Sequence, residues 1–136
     1  MDDNPSIILT VICDDMRQEV GGKSILIGVY AGGILFETLP VVVPTLSIYM
    51  EVQPKKPSYE RVFSFIKSPS GEEYKSNEGP AAFAYAKYNG PLYFRFPTFT
   101  INEEGHYGIY LVMDSAPILA RTFSVIKREN LDTQND

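Results

Sequence analysis

Five charged side chains crowd one short stretch of this 136-residue chain: Asp14, Asp15, Arg17, Glu19 and Lys23, with Gly21-Gly22 among them. Three carboxylates at close spacing could offer oxygens to a hard cation such as Ca²⁺ or Mg²⁺, and Arg17 could grip a carboxylate or phosphate with both arms of its fork. The spacing matches no calcium loop, which requires Asp-x-Asp-x-Asp-Gly and a later Glu, and Arg17 and Lys23 would oppose a metal. The competing reading is a solvated turn with internal ion pairs, each worth about 0–1 kcal/mol when exposed. No metal site and no cofactor are therefore assigned. If the chain carries a site for a small ligand or for hydrolysis, these five residues form it. Neighbours on an extended chain point to opposite sides, so one of Asp14 and Asp15 is expected to pair with Arg17 and cap the glycine turn. The other is left for recognition.

Other chemistry is thin. Cys13 and His106 are the lone thiol and the lone imidazole. A nucleophilic pair would need both at one polar spot, but Cys13 closes an apolar run where a small buried thiol is the ordinary outcome. His106 opens a strand after Glu103-Glu104-Gly105 and is expected to be exposed. One Cys and one His cannot complete a structural zinc site within the chain. The nine Tyr and eight Phe could stack bases, yet between Ser6 and Glu129 there are 13 acids against 12 bases, so no basic field is present to neutralise phosphates. Nucleic acid is excluded as a partner on that ground. The glycine pairs lack the spacing of a phosphate-binding loop, and no catalytic residue is assigned.

The elements that must position the charged stretch read as strands. Ser6 to Cys13 and Ser24 to Tyr30 are short, β-branched and apolar, and the polar glycine-containing segment between them makes them a hairpin with an elaborated loop. Both strands are apolar on both faces, whereas a strand facing water should alternate. Something must cover the second face: the Leu35 to Val43 segment, or a second subunit. Thr45 to Gln53 alternates strictly, with Leu46, Ile48, Met50 and Val52 on one side. Tyr59 to Lys67 follows the Pro54–Ser58 loop, and residues 72–90 are the least readable. Leu92, Phe94 and Phe96 are even-numbered while Phe99 and Ile101 are odd, which implies a bulge or bend at Pro97. His106 to Met113 should turn Tyr107, Ile109, Leu111 and Met113 inward, and Ile118 to Ile126 should bury Phe123 and Val125.

Some eight or nine strands separated by turns, and no convincing helix, predict an all-β, antiparallel two-sheet β-sandwich, immunoglobulin-like in general architecture. One domain is expected over residues 6–129, with disordered stretches at 1–5 and 130–136. The residues Ile12-Cys13-Asp14-Asp15, Arg17, Glu19, Gly22-Lys23, Leu26-Ile27-Gly28-Val29-Tyr30 and Leu39-Pro40…Pro44-x-Leu46 resemble an uncharacterised family of short bacterial and phage proteins. The Ser68-Pro69-Ser70-Gly71 turn and the Gly105-His106-Tyr107 strand start resemble its later half. The resemblance implies a β-sandwich and brings no activity, ligand or site with it.

A single cysteine permits no intrachain disulfide. The acidic start and the short first apolar run do not read as a targeting or membrane segment. The chain is thus expected in the cytoplasm, with no membrane partner. On this reading it is a non-enzymatic interaction or assembly module, with a protein partner or its own copy as a homodimer; the alternative is a small-ligand or hydrolytic site on Asp14–Lys23.

Overall fold

The alternation in the sequence folds into two sheets packed face to face, in a computed structural model that describes residues 3–84 and 87–129. Ten strands are formed: β1 (Ser6–Gln18), β2 (Ser24–Tyr30), β3 (Gly33–Phe36), β4 (Val41–Gln53), β5 (Ser58–Lys67), β6 (Glu73–Lys75), β7 (Gly79–Ala82), β8 (Gly90–Ile101), β9 (Gly105–Met113) and β10 (Ile118–Lys127). The first sheet runs β2-β1-β4-β8 and the second β3-β10-β9-β5-β6, with β7 also paired to β5. All pairings are antiparallel except β3 with β10. The all-β sandwich expected from the sequence is what forms.

Its core lies where period-two patterning places it. Leu46, Ile48, Met50 and Val52 of β4 are wholly buried against Tyr107, Ile109, Leu111, Met113, Phe123 and Val125 of the facing sheet. Burial contributes about 1.5–3 kcal/mol for each such side chain. The parity change at Pro97 is real: Leu92, Phe94 and Phe96 are buried before it and Phe99 and Ile101 after it. The β4–β8 register does not slip; Thr98 instead takes a left-handed φ of 55°, which turns the strand by one face. β4 matches this, burying Val43 and Leu46 on either side of Pro44.

Two polar devices fasten the loops. The Tyr107 hydroxyl donates back to the Glu103 carbonyl at 2.6 Å, the geometry of a tyrosine corner. Asp114, with a left-handed φ of 61°, accepts the backbone N–H groups of Glu60 and Arg61 and the Lys56 ammonium. These hydrogen bonds hold its carboxyl below the ordinary range, the Arg61 N–H first. They also satisfy β5 where its pairing with β7 shifts between Tyr59 and Val62. At the N-terminus the Asp3 carbonyl accepts the Tyr59 hydroxyl and Pro5 is buried; of the stretch 1–5 expected to be disordered, residues 1–2 lie outside the described residues. The expected disordered tail at 130–136 lies outside the described residues.

Two expectations are corrected, and the least readable stretch takes form. Leu35 to Val43 is not one covering segment: Gly33–Phe36 joins the second sheet beside β10, and Val41 begins β4. Residues 72–90 contain two short strands, β6 and β7. On β1 a register shift between Ile7 and Leu9 breaks the simple alternation, so Ile7 packs on the core while Leu9 is exposed.

Candidate functional site

The charged stretch is mostly strand. β1 continues through Asp14, Asp15 and Arg17 to Gln18, in register with β2 as Asp15↔Ile27, Arg17↔Ile25 and Gln18↔Ser24. Glu19 and Lys23 flank the turn that joins the strands, closed by the Glu19 N–H donating to the Lys23 carbonyl at 2.7 Å. Gly21 and Gly22 sit there at φ of 90° and 80°, which a residue with a Cβ adopts at a cost. The hairpin loop read from Asp14 onward is thus shorter than expected, because its charges occupy strand positions.

Beyond Cys13 the hairpin leaves the β1–β4 ladder, whose last pair is Cys13↔Ser47. The Ser47 hydroxyl donates to the Asp14 carbonyl at 3.3 Å and the Arg95 guanidinium to the Met16 carbonyl at 2.9 Å. The Ser24 and Tyr93 hydroxyls are hydrogen-bonded. Tyr93 and Arg95 are outward residues of β8, so these contacts carry the far half of the hairpin across to β8. Cys13 and Ser47, beside each other on the side away from the core, are fully buried. Burial, reinforced by Asp14 and Asp15, pushes the Cys13 thiol up to about 11, which disfavours the thiolate needed for nucleophilic chemistry. His106 is on β9 in the other sheet, exposed and hydrogen-bonded through Nδ1 to Ser124 at 3.0 Å. The two residues do not meet.

Asp14 and Asp15 diverge as neighbours on a strand must, but the expected pairing with Arg17 is not made. The Asp14 Oδ1 accepts the Tyr30 hydroxyl at 2.8 Å, and the carboxylate rests on Gly28, where an added Cβ would stand 2.3 Å from Oδ2. Gly28 has a φ of 69°, so glycine serves both the backbone and the carboxylate there. Burial and the Asp14 hydrogen bond raise the Tyr30 hydroxyl to about 12. The Asp15 Oδ1 accepts the Met16 N–H at 2.8 Å. Arg17, Glu19 and Lys23 are exposed, and none of them enters an ion pair among the described residues.

A cleft of about 620 Å³ opens beside this stretch, lined by Asp14, Asp15, Tyr30 and the Val42–Thr45 segment. Of the five charged residues, the two aspartates border it and Arg17, Glu19 and Lys23 do not. Tyr30 and Val42–Thr45 were missed by sequence reasoning; the hairpin register could have found Tyr30, since Ile12↔Tyr30 puts it on the same side as Asp14. No group of three or more His, Cys, Asp or Glu side chains that could hold a metal ion occurs among the described residues.

β2 also carries exposed apolar side chains. Ile25, Ile27 and Val29 of β2 are 42%, 42% and 57% exposed, and the segment expected to cover them lies elsewhere in the fold. Among the described residues no helix is long and apolar enough to cross a membrane.

The fold and the hairpin together define a small all-β sandwich domain whose first hairpin extends beyond the sheet it begins. The chain matches the model of DUF6941, a family of unknown function, over residues 8–126, and belongs to that family. No curated protein matches it.

Proposed function

We propose that this protein is a non-enzymatic interaction or assembly module, with the exposed apolar row of β2 as its contact surface. The observation that carries this reading is the exposure of Ile25, Ile27 and Val29 on one strand. Three β-branched residues in a row on an edge strand are a surface that soluble chains ordinarily bury. A second copy is the simplest cover, because a two-fold interface needs no second kind of surface. The lone Cys13 and the sequence resemblance favour a cytoplasmic protein of bacterial or phage origin, and the tyrosine corner favours an immunoglobulin-like arrangement of the sandwich.

Light scattering of the purified chain at micromolar concentration tests the reading. A homodimer that Ile27→Lys converts to a folded monomer is the expected outcome. A wild-type chain that stays monomeric and is unaffected by the substitution contradicts self-association.

The cleft favours a second reading, a small-ligand or hydrolytic site that would use Asp14 and Asp15 at its rim. Two carboxylates beside an apolar wall suit a cationic ligand with a hydrocarbon part. A thermal-shift screen of small amines, Ca²⁺ and Mg²⁺ checks it: a stabilising compound whose effect is lost in Asp14→Asn supports the site, and its persistence there counts against it.

A further inference from the structure

The cleft beside Asp14 and Asp15 exists because a strand leaves its sheet. β1 pairs with β4 as far as Cys13↔Ser47, whereas β4 runs on from Ser47 through Thr45 to Val41 in register with β8. Past Cys13 the hairpin crosses toward β8, where the Met16 carbonyl accepts Arg95 and Ser24 meets Tyr93. Gln18 ends beside Asn77, Tyr93 and Phe94 at the free edge of β8. The place next to β4 that β1 would have held is therefore vacated. The cleft of about 620 Å³, lined by Asp14, Asp15, Tyr30 and Val42–Thr45, occupies it.

The β4 side of this cleft offers backbone groups. The Arg95 N–H turns away from β4 to the Asn77 side chain, so Ser47↔Arg95 is a non-hydrogen-bonded pair, and Ser47 directs its N–H and C=O toward β1. Thr45, two residues along and paired with Pro97, repeats that orientation; Pro97 has no N–H to give to it. Thr45 thus aims one donor and one acceptor into the vacated place, beyond the last β1–β4 pair. Unpaired strand groups of this kind are a template for another extended chain.

The walls decide what kind of chain fits. Asp14 and Asp15 are the only charged residues lining the cleft, and neither enters an ion pair among the described residues. Asp14 holds one hydroxyl, that of Tyr30, and Asp15 one backbone N–H, which leaves carboxylate acceptor capacity for a cation. Resting on the ligand reading of the cleft above, we propose that it takes an extended peptide carrying lysine or arginine. The peptide adds to β4 opposite Thr45, in the place β1 leaves, and sets a basic side chain against the aspartates. A small amine would answer the carboxylates and leave the Thr45 groups unmet; a basic peptide answers both, with main-chain bonds for affinity and a side chain for selection. The chain's own residues 130–136 carry Asp132 and Asp136 and no Lys or Arg, so they would bring like charge to the site.

An NMR titration of the full chain with acetyl-Thr-Lys-Val-Lys-Thr-amide, at peptide concentrations up to millimolar, tests this. The peptide should shift the amides around the cleft and slow exchange of the Thr45 amide. Replacing its lysines by glutamate should abolish binding, and Asp14→Asn with Asp15→Asn should weaken it about tenfold. Thr45→Pro removes the N–H that faces the cleft, not one given to β8, and should prevent binding in a folded chain; should that variant not fold, Thr45 exchange in the wild type decides. Equal binding of the glutamate peptide, or binding that leaves Thr45 exchange unchanged, overturns the proposal. n-Butylamine is titrated in parallel: cleft shifts with the amine but none with the lysine peptide overturn the peptide and leave the cationic-ligand reading standing. No response to either compound overturns both.

Discussion

β2 and β8 are the two edges of one four-stranded sheet, and they solve opposite problems. β8 is fully occupied: Leu92, Phe94 and Phe96 are buried beneath it, its outward Tyr93 and Arg95 are bonded to the hairpin, and Asn77 caps an N–H on its free side. β2 is held to β1 along one side and presents Ile25, Ile27 and Val29 to solvent. An edge strand with unpaired backbone groups and apolar side chains is a template for another strand unless it is blocked. One sheet thus carries a guarded edge and an open one, and the proposed assembly rests on the open one.

The sharpest way to separate the two edges is to compare what substitutions cost. Phe94→Ala removes a side chain 3% exposed and should cost about 3–5 kcal/mol in urea unfolding, while leaving the folded fraction able to associate. Ile27→Lys, on the open edge, should change monomer stability by no more than about 0.5 kcal/mol. Asn77→Ala should cost about 0.5–1.5 kcal/mol and accelerate exchange of the Arg95 amide, making the guarded edge resemble the open one. A destabilisation with no change at Arg95 would mean that Asn77 does not guard β8.

The smallest effect concerns Asp114, which belongs to neither edge and serves as their control. Its carboxyl is depressed in the folded protein, so its contribution is complete above the unfolded carboxyl value of about 3.9. That contribution is lost as pH falls through the lower folded value. Asp114→Asn should flatten this part of the acid-unfolding curve and leave association at neutral pH unchanged.

Much of the sandwich was legible because its strands alternate. Tyr107 to Met113 and the parity change at Pro97 can be read from residue types alone, since burying one face of a pleated strand requires period two. The hairpin was harder. Asp14, Asp15 and Arg17 look like loop residues by composition, yet they continue β1 because β2 supplies their ladder partners and Gly28 makes room for the Asp14 carboxylate. Local propensity carries no information about that pairing. The fate of Leu35 to Val43 was equally hidden: a β3 that pairs in parallel with β10 depends on a contact some ninety residues away in sequence. The Asp14–Tyr30 bond illustrates the middle ground, implicit in the register once the hairpin is granted.

The open edge can be examined most directly by amide hydrogen exchange at rising protein concentration. Partner addition at β2 predicts that amides within Ser24–Gly28 become protected as concentration increases, while those of β8 exchange at a constant rate. Exchange in Ser24–Gly28 that is independent of concentration, in a sample that nonetheless associates, would contradict β2 as the contact surface.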